Sequence, residues 1–179
     1  LVTDGGAAVV MTRSDRAKDT KNTPIYLLGA AMEHHHRMIS EMPDLVRTSA
    51  IESGERAFSM SGYTPNDMST IQLYDAFTIN TLLFLEDLGF CKKGEAKELV
   101  KNNNIGPAGN LKVNTNGGGL SCVHPGMYGL FVTLEALRQL RNASGDDVGK
   151  RLDGGWINNA KLSVAHGNGG VLSSQVTNI

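Results

Sequence analysis

Residues 69–89 read STIQLYDAFTINTLLFLEDLG. Up to Asp75 the apolar side chains alternate, with Ile71 and Leu73 turned the same way, the period of a strand. From residue 76 the spacing changes. Phe77, Ile79, Leu82, Leu83, Leu85 and Leu88 make a helix that is apolar almost all round, and Gly89 stops it. A strand that breaks into a helix is the repeating unit of an α/β domain.

The rest of the chain extends the same pattern. Residues 7–12 and the stretch PIYLLGA (24–30) read as strands, and residues 13–20 as a polar helical turn or loop. Residues 32–45 have no clear period. Residues 46–61 carry Val46, Ala50, Ala57 and Met60 at near-helical spacing. Residues 92–116 are polar and loop-like. Residues 124–141 predict a second helix, with Pro125 at its start and Met127, Leu130, Phe131, Leu134 and Leu137 on its apolar face. After a glycine-containing loop (142–158), KLSVAHG (161–167) and GVLSSQVTN (170–178) predict two strands joined at a glycine turn.

Composition narrows the class. Of 179 residues, 40% are apolar, enough for one core, and the formal net charge of −1 gives no reason to expect nucleic acid or an anionic membrane as partner. No apolar run has the length of a membrane span, and LVTDGGAAVVMT (1–12) lacks the pattern of a signal peptide, so a cytoplasmic location is expected. Those first residues read as the middle of a folded element, which suggests a piece of a longer chain. The two cysteines, Cys91 and Cys122, have no metal-ligand spacing and read as buried small residues, although Cys122 stands two residues before His124. His34, His35 and His36 cannot all point one way and read as a surface loop, and no metal site is expected.

Three junctions carry chemistry: Tyr74-Asp75, His124-Pro125 and His166-Gly167-Asn168. In open α/β sheets, sites gather at strand ends. Each also has an ordinary explanation: a half-buried tyrosine, a helix cap and a tight hairpin.

The blocks YDAF (74–77), NTNGGGLSCVHPGMYG (114–129) and HGNGG (166–170), in this order, resemble the C-terminal half of the thiolase superfamily. QLYDAF and LEDLGFCKKGE (85–95) resemble its lipid-transfer and sterol-carrier branch. DGGAAVV (4–10) resembles the stretch that closes the N-terminal half. The resemblance implies that residues 1–22 end that half or connect to it, and that residues 23–179 form a thiolase-like domain. Its fold would be a βαβαβαββ mixed sheet with helices on both faces. It implies acyl-CoA thioesters as substrates, with no other cofactor, and making or breaking of a carbon–carbon bond beside the thioester, by acyl transfer or retro-aldol cleavage, in lipid or steroid metabolism. It implies as partners the N-terminal half, a second copy in a dimer, and, for aldolases of this branch, a small zinc-ribbon and OB-fold protein. The alternative is a catalytically degraded half that carries lipid-CoA or supports a partner.

Carried over residue by residue, the resemblance places His124 on the Gly-His-Pro histidine that donates to the thioester oxyanion, with Val123 where the family has glycine. It places His166 on the Cys-x-Gly cysteine, the usual acid/base. The branch's substitute cysteine falls on Ala76, so both acid/base thiols are missing. Tyr74 replaces the Asn or His that opens its block. Tyr74, Tyr128, Asp75, His124 and His166 are then the proton-transfer groups, which suits retro-aldol chemistry, and Tyr128 can instead simply pack on its helix. Gly118, Gly167, Asn168 and Gly169 would bring bare backbone against the thioester.

Overall fold

The protein is described here from a computed structural model, over residues 2–106, 108–124, 128–149 and 155–179. Four strands form one mixed sheet in the order β1-β4-β3-β2. They are β1 (Ala30–His34), β2 (Thr70–Leu73), β3 (Ser163–Gly169) and β4 (Ser174–Asn178). The hairpin β3–β4 is antiparallel, β1 joins β4 antiparallel, and β2 joins β3 in parallel with Leu73 opposite His166. The helices are α1 (Ala50–Ser61), α2 (Thr78–Asp87), α3 (Ala96–Leu99), α4 (Gly118–Cys122) and α5 (Gly129–Ala143).

Neighbouring residues of a strand face opposite ways, so β3 tells the two faces apart. Val164 packs with Ile71, Leu73, Phe58 of α1 and Phe84 of α2, whereas Ala165 packs with Tyr74, Tyr128 and Val132 of α5. α1 and α2 therefore cover one face and α5 the other, the layered mixed sheet expected of a thiolase-like half. Ile71, Leu73, Phe84, Leu85 and Val164 are all but sealed from water. Each such side chain stabilises the fold by roughly 1.5–3 kcal/mol relative to exposure.

Several local expectations are corrected. Residues 7–12 form no strand, because no neighbouring strand among the described residues pairs with them. The strand expected at 24–30 forms instead at Ala30–His34, where β4 supplies the ladder. Its tail joins residues read as loop. Before it, Gly29 lies so close to α1 that a Cβ there would fall 2.2 Å from the Ala57 carbonyl oxygen. The polar stretch 92–116 holds the short helix α3. The helix expected from His124 starts at Gly129, and Pro125 and Met127 lie outside the described residues, as does 150–154 of the following loop. HGNGG is not the hairpin turn. β3 runs through Gly169, and the reversal falls on residues 170–173, with positive φ at Gly170 and Leu172.

Candidate functional site

β2 ends at Leu73, and the next residue, Tyr74, turns to the α5 face. Its backbone N–H still donates to the His166 carbonyl at 2.9 Å, which holds it to the sheet. Its ring meets Tyr128 edge-on at 5.8 Å and the His124 imidazole edge-on at 6.4 Å. The Tyr74 hydroxyl lies 3.2 Å from His124 Nε2. Tyr128, one residue before α5, is only 3% exposed and stacks on Phe131 one turn along. The Asn116 amide donates to the Tyr128 hydroxyl at 3.0 Å. His124 is exposed, and its carbonyl accepts the Thr3 N–H at 3.0 Å, which lays the first residues of the chain alongside it. Tyr74, His124 and Tyr128, from two separate sequence blocks, thus form one aromatic, proton-bearing group.

Electrostatics follow from burial. Loss of water pushes the Tyr128 hydroxyl well above the ordinary tyrosine range, the Asn116 donor opposes this, and the neighbouring Cys122 thiol and Asp75 carboxylate add to it. Burial also raises Asp75, against the backbone N–H groups of Gly119 and Leu120 that donate to its carboxylate at 2.5 and 3.4 Å. Asp75 is therefore engaged in holding the first turn of α4. Gly118 belongs to the same contact: with φ +68, a Cβ there would stand 2.1 Å from Asp75 Oδ2. Val123, where the resemblance expects glycine, adopts φ 58 and ψ −159, a conformation almost confined to glycine.

The glycine-rich end of β3 is divided between the two faces. The His166 imidazole is fully buried on the α1/α2 side, 4.5 Å from the Phe84 ring. Its Nδ1 lies 2.9 Å from Thr177 Oγ1 and its Nε2 2.9 Å from Gln175 Oε1. The Gln175 amide donates to Asn168 Oδ1 and the Leu172 carbonyl, so its oxygen must accept from His166 Nε2–H. Burial lowers the imidazole to about 4, with the Gln175 hydrogen bond acting the other way. His166 and Asn168 are thus not brought to the Tyr74–His124–Tyr128 group: strand alternation sends their side chains to the other face. Gly167 does face it, and a Cβ there would meet the Gly129 Cα at the start of α5 at 3.5 Å, so the glycine sets the helix close to the strand. Gly169 faces the same way, near Ser174.

A groove of about 460 Å³ opens beside Tyr128, lined by Asn116, Cys122, Phe131, Leu134 and Arg138. Cys122 is exposed there, not a buried core residue. Two groove residues escaped the sequence reading, Asn116 and the buried Glu135. A signal for Asn116 existed: Asn two residues before a glycine favours a side chain bonded to backbone two residues on, and Asn116 Oδ1 accepts the Gly118 N–H at 2.9 Å. Glu135, on the buried face of α5 with Val132 and Gln139, accepts from Gln139 at 2.9 Å and from the Thr115 hydroxyl. His34 bonds to Ser174 and His36 to the Val171 carbonyl, and among the described residues no three His, Cys, Asp or Glu side chains gather as a metal site. No helix among the described residues is long and apolar enough to cross a membrane.

The chain is similar to known proteins. The chain is 39% identical over 153 residues to a 17-hydroxy-3-oxo-4-pregnene-20-carboxyl-CoA lyase of Mycobacterium tuberculosis, covering 82% of this chain and 39% of that protein. It is 31% identical over 171 residues to an acetyl-CoA acetyltransferase of Methanothermobacter thermautotrophicus, covering 94% of this chain and 43% of that one. The solved structure of an Ltp2-ChsH2(DUF35) aldolase superposes with a TM-score of 0.73 at 27% identity, over 92% of this chain and 42% of that one. The chain therefore spans about two fifths of the length of these relatives, which are named as a CoA lyase, an acetyltransferase and an aldolase. Residues 31–179 match the family described as thiolase C-terminal domain-like, and the chain belongs to that family.

Proposed function

We propose that these residues form the C-terminal half of an enzyme that cleaves a β-hydroxyacyl-CoA by a retro-aldol reaction. The observation that carries the reading is the Tyr74 hydroxyl 3.2 Å from His124 Nε2, with Tyr128 packed against the same ring. The similarity to a CoA lyase and to a solved aldolase supports it.

In this reaction the β-hydroxyl loses its proton, the Cα–Cβ bond breaks to leave a ketone or aldehyde, and its electrons form a thioester enolate. A proton then returns to Cα. Tyr74 and His124 form a relay: the phenol oxygen takes the substrate proton as its own passes to Nε2. Tyr128 is the second proton-bearing group, and its burial keeps it protonated. Acyl transfer by the ordinary thiolase route needs an acid/base thiol to remove the α-proton, and the two positions where the family carries one are Ala76 and His166. The acyl group lies along the groove beside Phe131 and Leu134. The N-terminal half, a second copy of the chain and a zinc-ribbon and OB-fold protein are its proposed partners, the last in line with a solved relative described as a two-protein aldolase. The substrate is the CoA thioester itself, with no further cofactor.

The test is kinetic. Tyr74→Phe in the full-length protein keeps the ring and removes only the proton-bearing oxygen. Cleavage of a β-hydroxyacyl-CoA is expected to fall about 10²–10⁴-fold with little change in KM. His124→Ala is expected to damage cleavage as well. Full cleavage activity in Tyr74→Phe overturns the aldolase reading. Binding of acyl-CoA with no turnover in the parent protein transfers the weight to a lipid-CoA carrier.

A further inference from the structure

Asn116 was not among the residues expected to matter, yet its amide is oriented from both ends. Its Oδ1 accepts the Gly118 N–H at 2.9 Å, and its Nδ2 donates to the Tyr128 hydroxyl at 3.0 Å. Flipping the amide would set an NH₂ against an N–H and an oxygen against a phenol, losing the bond to Gly118 outright. The preceding residue is clamped too: the Thr115 hydroxyl donates to Glu135, and Gln72 and Gln139 donate to that hydroxyl at 3.0 and 2.9 Å. Both glutamines are buried to 1% exposure or less.

A phenol whose oxygen accepts a hydrogen bond is left to point its own proton elsewhere. Here the remaining direction is the groove, which Tyr128 lines together with Cys122. From this geometry we infer that Asn116 is a positioning residue that fixes Tyr128 as the hydrogen-bond donor into the groove, and so as the acid of the tyrosine pair. The assignment of an acid rests on the retro-aldol reading above. In that reaction the Tyr128 O–H bond breaks, its proton goes to Cα of the thioester enolate, and the phenolate left behind keeps the Asn116 N–H as its partner. Tyr74, paired with His124, is left with the opposite task.

The discriminating variant is Asn116→Asp. Aspartate keeps the oxygen that accepts the Gly118 N–H, so the turn before α4 is retained, but it has no N–H to give to Tyr128. Two readouts on the full-length protein separate the questions. In the first, kcat for a β-hydroxyacyl-CoA is expected to fall about 10²–10⁴-fold in Asn116→Asp with KM changed only a few-fold. The second needs no substrate. With 3-fluorotyrosine placed at position 128, its ionisation is followed by ¹⁹F NMR, and in Asn116→Asp it is expected to move up by about 1 pH unit or more, because a donor to the phenolate is replaced by an anion. Asn116→Ala, which removes the donor without adding charge, is expected to move it up by less. An unmoved ¹⁹F titration in both variants overturns the role of Asn116, whatever the activity. A shifted titration in a protein whose parent cleaves no β-hydroxyacyl-CoA supports Asn116 as the residue that aims the Tyr128 proton and defeats the aldolase reading alone. Unchanged kcat with a shifted titration overturns the assignment of Tyr128 as the acid.

Discussion

Tyr74 and His166 share a backbone hydrogen bond and yet face opposite ways. Tyr74 reaches His124 and Tyr128. His166 is a neutral imidazole in the core, donating from Nε2 to Gln175 and accepting at Nδ1 from Thr177, whose hydroxyl also lies 2.9 Å from Ser53. Its role is then visible in stability. In the unfolded chain it titrates near ~6.5, and in the fold burial lowers it to about 4. Between these values the unfolded state binds more protons, so stability rises with pH there. The contribution is complete above ~6.5 and is lost as pH falls toward about 4. At about 1.4 kcal/mol per pH unit, the loss from this one group is on the order of 3 kcal/mol. Urea midpoints measured from pH 7 to pH 4 are expected to fall more steeply for the parent than for His166→Gln, which is less stable at pH 7 but does not titrate. Parallel curves for the two proteins would show that His166 is not held neutral by burial.

At the scale of elements, the decisive piece is α4, a helix of five residues whose first turn is held by the Asp75 carboxylate. Two requirements meet at Gly118. Its φ of +68 suits glycine, and the space beyond its Cα is filled by Asp75 Oδ2 at 2.1 Å from where a Cβ would lie. Gly145, after α5, has φ +89 with nothing within 4 Å, and so isolates the first requirement. Gly145→Ala is expected to cost about 1–2 kcal/mol, the usual penalty of left-handed backbone for a residue with a Cβ. Gly118→Ala is expected to cost at least about 2 kcal/mol more, because it also displaces a buried, hydrogen-bonded carboxylate. Equal losses in a denaturant titration of the two variants would mean that Asp75 moves aside freely and that the contact does not organise the site.

The molecule as a whole leaves apolar surface uncovered. Val10 is 96% exposed and Met11 72%, and Tyr26, Leu27 and Leu28 are at least 38% exposed, in segments without regular structure. Exposed apolar residues clustered along the chain mark surfaces that meet other protein. With the chain spanning about two fifths of its relatives, cover by the remainder of a longer protein or by a second copy is the proposed arrangement. Residues 1–179 alone are expected to self-associate at micromolar concentration and to bind a hydrophobic dye. Val10→Glu with Met11→Glu is expected to reduce both. A monodisperse monomer with no dye binding, seen by light scattering, would contradict the proposal.

The α/β class, α2 and the hairpin β3–β4 were legible in the sequence, because the apolar period of these segments is a local property that tertiary contacts reinforced. Phe84 and Leu85 in α2 and Ile71 and Leu73 in β2 are core residues in pattern and in fact. Tyr74, His124 and Tyr128 were singled out as well, by residue types at strand and helix ends and by the resemblance, and their side chains do come together. Other features were decided by tertiary structure alone. Which residues of 24–34 form β1 depends on where β4 offers hydrogen bonds, a partner 140 or more residues away. Which side of β3 faces Tyr74 and Tyr128 depends on which helix covers each face. Consecutive side chains alternate whatever their identity, so HGNGG could not reveal that His166 joins Phe84 in the core while Gly167 lets α5, and Tyr128 with it, approach the sheet.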